Sequence, residues 1–235
     1  MEVKFVLDFD GVLFNSAFEA YTVANKATEG RPEYRDDISY EEFLAFRSSV
    51  TDAWHYNRLY SRTHGLPAAA IAGLQPDEVD WRFSRDFFEA RKEIMQASDW
   101  PKVMPPYDFF FLLKPLLLQY PDRFAILSTR NIESIRQTMS FHGVDNLTVF
   151  GQEDIRKLGS KMMVAKEQRW LDRGKFLIVY VDDMNSHLEP FVGQIHLPLH
   201  ADWGYDRCTP GSLSPNQIFT IISSLLNIAE RNPGS

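Results

Sequence analysis

The hydrophobic residues of this chain follow two rhythms, one helical and confined to the first hundred residues, the other alternating between strand and helix. Val3, Phe5, Val6 and Leu7 form a short apolar run without polar alternation, the pattern of a strand buried on both faces, and it stops at Asp8 because aspartate is a poor strand former. From Ser16 to about Ser98 strand patterns are almost absent. There Phe43, Phe46, Val50 and Trp54 recur at helical spacing, as do Phe83, Phe87, Ala90 and Ile94, which predicts two amphipathic helices, with an earlier one carrying Phe18 and Tyr21. Gly65-Leu-Pro, Gly73, Gln75-Pro and Asp77 punctuate this stretch, and Asp80 is expected to cap the helix that follows.

After Trp100-Pro and Met104-Pro-Pro the elements alternate. Helices are predicted over Phe109 to Gln119, Ile132 to His142 (stopped by Gly143) and Lys161 to Asp172, with a last one opened by Ser214-Pro and burying Ile218, Ile221, Ile222 and Leu225. Strands are predicted over Phe124 to Leu127, Leu147 to Phe150, Phe176 to Val181 and Gln194 to Leu197. Repeated strand–helix units require a parallel sheet with right-handed crossovers and helices on both faces, so the fold class is α/β, a three-layer Rossmann-like core. The first strand belongs to that sheet. Residues 16–98 are therefore expected to be an all-helical insertion, leaving 1–15 and 99–235 as the core.

A chain of 235 residues, 44% hydrophobic and 14% aromatic, is ample for a large core. The net charge of -7 argues against a nucleic-acid partner, which calls for a basic footprint, and leaves any anionic substrate in need of a metal or a local cluster of lysine and arginine. Cys208 is the one cysteine; it excludes an intramolecular disulfide framework, fits a reducing compartment and lacks an adjacent base that would make it a nucleophile. The first apolar run is broken too early for a signal peptide, and Leu112 to Leu118 is too short, with Lys114 and Pro115 inside it, to cross a membrane. The expectation is a cytoplasmic protein without a membrane partner, a monomer or homodimer.

Chemistry enters with Asp8 and Asp10. One residue apart, they lie on the same side of an extended backbone at the carboxyl end of a strand, where open α/β sheets bind ligands. Two carboxylates with no local cation call for a metal, and hard oxygen donors favour Mg²⁺. Gly11 permits positive φ and lets the following amides turn toward an anion. Asp182 and Asp183 repeat the theme after another buried strand, with Asn185 placed to orient them, although such a pair could instead cap the next helix. His196 and His200 flank Pro198 and so share no helical face for zinc; His55, His64 and His187 show no ligand spacing. Arg47, Arg58, Arg62, Arg82 and Arg85 give the helical stretch either cationic reach or a solvated face.

Phe-Val-Leu-Asp8-Phe-Asp10-Gly11, with the pieces downstream, resembles the first motif of the haloacid dehalogenase superfamily, Asp-x-Asp-Gly followed by apolar residues. The resemblance implies that Asp8 is a nucleophile forming an aspartyl phosphate and Asp10 the general acid and then base. Members that cleave carbon–halogen or carbon–phosphorus bonds lack the second aspartate, so Asp10 points to phosphate esters. Phe124-Ala-Ile-Leu-Ser-Thr-Arg resembles the second motif, in which a hydroxyl holds a phosphoryl oxygen; Ser128 is favoured over Thr129, although either could simply shape the turn. Lys161 resembles the third-motif lysine; Lys157 competes with it, and the family's common Lys-Pro pair is absent. Val179-Tyr-Val-Asp182-Asp183 resembles the fourth motif, implying Mg²⁺ on Asp183, on Asp182 directly or through water, on Asp8 and on the Asp10 carbonyl. Phosphate would rest on Asp8, Gly11, Ser128, Thr129 and Lys161. In this family a helical insertion after the first motif is a cap over the active site. The implied function is a Mg²⁺-dependent phosphatase for a small phosphorylated metabolite; a beta-phosphoglucomutase-like phosphomutase and a catalytically silent phospho-ligand-binding protein are the alternatives.

Overall fold

The computed structural model describes residues 2–231 apart from 48, 51, 173 and 207–209, so Cys208 lies outside the described residues. Residues up to Asn15 together with those from Pro106 onward form one compact unit, and Ser16–Pro105 forms the other.

The first unit is built on a parallel sheet of five strands, β1 (Glu2–Leu7), β2 (Phe124–Leu127), β3 (Thr148–Phe150), β4 (Phe176–Asp182) and β5 (Leu197–His200), in the order β3-β2-β1-β4-β5. Phe5, Val6, Leu7, Ile126, Leu127 and Ile178 to Val181 are buried without alternation, as strands covered on both faces must be. Helices α5 (Asp108–Gln119), α6 (Ile132–Phe141), α7 (Gln152–Leu158), α8 (Lys161–Glu167), α9 (Asn185–Leu188) and α10 (Pro215–Arg231) belong to the same unit. The last strand is not Gln194 to Leu197 but Leu197–His200. β5 is an edge strand, where the missing N–H of Pro198 is tolerated. Helix α8 also stops short of Asp172, at Glu167.

The second unit contains α1 (Ser16–Thr28), α2 (Tyr40–Arg47), α3 (His55–Tyr60) and α4 (Glu78–Ile94) around a core that includes Val23, Phe43, Tyr60, Phe83 and Phe87. The periodic run from Phe43 to Trp54 is not one helix: Phe43 and Phe46 lie on α2, which ends at Arg47, whereas Val50 and Trp54 lie outside it and Trp54 precedes α3. The cap of α4 is Asp77 rather than Asp80: Asp77 accepts from the amides of Val79 and Asp80, while the Asp80 carboxylate at the third helical position accepts from the Asp77 amide. The buried Glu19 carboxylate of α1 accepts two bonds from Arg91 of α4, at 2.6 and 2.9 Å.

Candidate active site

Strand register assembles the site. Leu7 lies beside Ile126 on one side and Val181 on the other, so Asp8, Ser128 and the Asp182–Asp183 pair leave the sheet at one edge. β2 and β3 lie to one side of β1, β4 and β5 to the other; the reversal opens the crevice where open α/β sheets bind ligands. The Asp8 amide donates to the Val181 carbonyl at 2.8 Å, which ties the two acidic strand ends together.

Beyond Asp8 the chain turns at once: the Gly11 amide donates to the Phe14 carbonyl at 2.9 Å, and the amides of Leu13 and Phe14 both donate to the Phe9 carbonyl at 3.0 Å. Gly11 has φ of +83°, and a Cβ there would sit 2.1 Å from Asp183 Oδ2; one on Gly204 would sit 2.2 Å from the Asp183 Cβ. Two loops therefore close on the Asp183 side chain only because both residues are glycine. The Tyr205 amide donates to Asp183 Oδ2 at 2.6 Å, whereas Oδ1 is buried with no hydrogen-bond partner.

Lys161 enters from the start of α8, whose N-cap Ser160 accepts from the Met163 amide. Its buried Nζ lies 2.7 Å from Asp182 Oδ2, 3.2 Å from Asp8 Oδ1 and 3.2 Å from His187 Nδ1. Asp8, Asp182 and His187 bring their ligand atoms within 4.8 Å of one another, a donor set that could hold a metal. The ammonium already stands among them and supplies the charge. Asp182 is fully engaged: Oδ2 also accepts from the Tyr180 hydroxyl, and Oδ1 accepts from the Met184 amide at 2.9 Å with His187 Nδ1 at 3.1 Å.

These partners set the charge states. Burial pushes the Asp8 carboxyl up to about 6, against the opposing pull of Lys161. Burial would likewise raise Asp182, but Lys161 and His187 outweigh it and hold that carboxyl below the usual range. Asp183 is pushed well up by burial, with Asp182 and Asp8 adding repulsion. Burial would lower Lys161, yet Asp182 and Asp8 raise it above the ordinary lysine value. Lys161 is thus a permanent cation.

The acids left under-compensated are the ones that fit a metal. Asp183 Oδ1 and Asp8 Oδ1 are buried oxygens without hydrogen-bond partners, and together with the Asp10 carbonyl they are the hard donors Mg²⁺ takes. A pH dependence follows. The Asp8 carboxyl is harder to ionise folded than unfolded, so its contribution to stability is whole below about pH 4 and is lost as pH rises through 6. Buried His55 and half-buried His142 shift the opposite way and oppose this slope. In EDTA, wild type is therefore expected to lose on the order of 3 kcal/mol relative to Asp8→Asn between pH 4 and 7, read by urea denaturation. A pH-independent difference would sink the assignment.

Of the other residues singled out in the sequence, Ser128 is buried, donating its amide to the Phe150 carbonyl at 3.0 Å, while Thr129 is exposed. Lys157 is exposed on α7, away from the burial that Lys161 shares with the acids. Two residues were missed. Arg130 is buried and its Nε donates to Asp10 Oδ1 at 2.9 Å; His187 joins the Asp182–Lys161 pair. Arginine two residues beyond a strand-exit serine was the available signal for the first; a lone histidine five residues past Asp182 gave none for the second.

No protein-family model matches this sequence, and no curated protein matches it. Solved structures do. A haloacid dehalogenase-like family hydrolase from Streptococcus pneumoniae is similar at a TM-score of 0.59 and 12% identity, over 94% of this chain and 98% of that one. A predicted phosphoglycolate phosphatase from Haemophilus somnus is similar at 0.60 and 15% identity, over 93% and 97%. A subfamily IA hydrolase of the same superfamily from Geobacter sulfurreducens is similar at 0.54 and 14%, over 94% and 96%. The chain has the haloacid dehalogenase-like fold.

Proposed function

We propose that this chain is a Mg²⁺-dependent phosphatase of the haloacid dehalogenase superfamily that hydrolyses a small phosphorylated metabolite through an aspartyl phosphate on Asp8. The observation that carries the reading is the buried Asp8 carboxylate, held 3.2 Å from the Lys161 ammonium, at a strand end shared with the under-compensated Asp183.

Asp8 attacks phosphorus in line, and the bond to the leaving oxygen breaks as Asp10 delivers a proton to it. Asp10 then takes a proton from the water that cleaves the aspartyl phosphate, so one carboxyl serves both half-reactions. Lys161 offsets the charge gathered on the phosphoryl oxygens, and the Ser128 hydroxyl positions them, positioning and electrostatics being most of what phosphoryl transfer requires; the amides of Leu13 and Phe14, expected to turn toward the anion, are instead spent on the Phe9 carbonyl. Mg²⁺ held by Asp8, Asp183 and the Asp10 carbonyl would neutralise the dianion that otherwise meets two carboxylates. Asp182 supports this arrangement by fixing Lys161. The inserted helical unit, which follows directly on the loop of Asp10, is assigned the role of substrate-selecting cap.

Release of inorganic phosphate from 4-nitrophenyl phosphate is expected, lost in EDTA and restored by Mg²⁺. Turnover indifferent to the chelator would remove the metal from this account. Return of the phosphoryl group to a second hydroxyl, in place of its release, would make the chain a mutase. A silent phospho-ligand-binding protein is disfavoured by the intact Asp8, Asp10 and Asp183.

A further inference from the structure

The two cations of the site divide the acids between them. Lys161 serves Asp8 and Asp182, whereas Arg130 serves Asp10. Arg130 is held on every side. Its carbonyl accepts from the Gln152 amide at 2.8 Å, its amide donates to Ser128 Oγ at 3.3 Å, and the next residue, Asn131, caps α6 by accepting from the Ser134 amide at 2.7 Å. The guanidinium lies over the Phe9 ring, 5.9 Å from its centroid, and Nη1 donates to Ser134 Oγ at 3.3 Å, that serine being completely buried. An arginine so fixed has little rotamer freedom left, and its Nε meets Asp10 Oδ1 at 2.9 Å across 120 residues of chain.

We propose that Arg130 is the positioning residue of the general acid/base: by holding Asp10 Oδ1 it fixes the carboxyl so that the other oxygen, Oδ2, faces the leaving group and carries the proton. The inference rests on the phosphatase reading and deepens it. In the first half-reaction the Asp8 oxygen–phosphorus bond forms, the phosphorus–leaving-group bond breaks, and the Asp10 Oδ2 proton passes to the departing oxygen. Swinging freely, Asp10 would seldom hold its proton where the departing oxygen needs it. A proton donor must be within hydrogen-bond reach of the atom it serves, and a positioning partner acts only through it.

The dependence on leaving-group basicity separates this role from a structural one. A dinitrophenolate departs without a proton, whereas a phenolate needs one, and kcat/KM reports the step in which the leaving group departs. With the full-length, Mg²⁺-loaded protein, Arg130→Met is expected to lower kcat/KM for phenyl phosphate about 100-fold and for 2,4-dinitrophenyl phosphate by less than about threefold. Arg130→Lys, which can still donate, should recover part of the loss on phenyl phosphate, and Arg130→Met should add nothing in an Asp10→Asn background. Equal losses on both esters, or none, would overturn the proposal; should Arg130→Met fail to fold, Arg130→Lys and Arg130→Gln must show the same graded split between the esters. Wild type inactive on both esters would instead overturn the phosphatase reading beneath it, so the two failures are told apart.

Discussion

Asp8→Asn is expected to abolish phosphate release, by a factor of at least about 10³, while leaving the protein folded and, free of metal above pH 6, more stable than wild type. The two halves of that outcome have one cause. An amide is isosteric with the carboxylate but has no charge and no lone pair basic enough to attack phosphorus. Asp8 Oδ1 is buried without a hydrogen-bond partner, so its charge is a cost to the folded state that Lys161, with a smaller contribution from His187, offsets only in part. Substituting the amide removes nucleophile and cost together. A variant that keeps more than about a tenth of wild-type turnover would refute Asp8 as nucleophile. One that loses activity by losing its fold, seen as a collapsed thermal transition, would refute the electrostatic account of Asp8.

The sheet was legible because its central strands break ordinary alternation. Phe5 to Leu7, Phe124 to Leu127 and Phe176 to Val181 are apolar on both faces, a pattern that burial in a parallel sheet explains and an exposed face does not. The acids were legible for the converse reason, since carboxylates at the exits of such strands have no packing role. Edges and single residues were not. β5 starts where the expected last strand ends, the gap between α2 and α3 preserves helical spacing from Phe43 to Trp54, and Asp77 and Asp80 share one cap whose division no sequence shows. Lys157 and Lys161 are equal as letters; only the turn at Gly159 and Ser160, which starts α8 at Lys161, buries one and leaves the other in solvent. Arg130 meets Asp10 through the pairing of β1 with β2, a long-range fact carried by no local spacing.

Lys161→Met is expected to cut turnover by about 10³-fold and to destabilise the protein by about 3–5 kcal/mol at neutral pH. Asp182 is the reason for the second effect: completely buried and held ionised by Lys161, it would be left with the Tyr180 hydroxyl, the Met184 amide and His187 against a full charge. The destabilisation should shrink on acidification, because protonating a carboxylate that has lost its cation removes the penalty. Arginine is no substitute here, its planar fork being too large for a cation only 7% exposed between two carboxylates. A variant within about 1 kcal/mol of wild type would mean that Lys161 is not the charge on which Asp182 depends. Calorimetric titration with Mg²⁺ then distinguishes two views of the acid cluster. If Asp8, Asp182 and His187 were the metal site, removing the ammonium from their midst would tighten Mg²⁺ binding, and Asp183→Asn would leave it intact. With Lys161 as the cation of that cluster, Asp183→Asn is the substitution that abolishes binding. The unpartnered Asp183 oxygen, beside two glycines that admit no side chain, favours the second outcome.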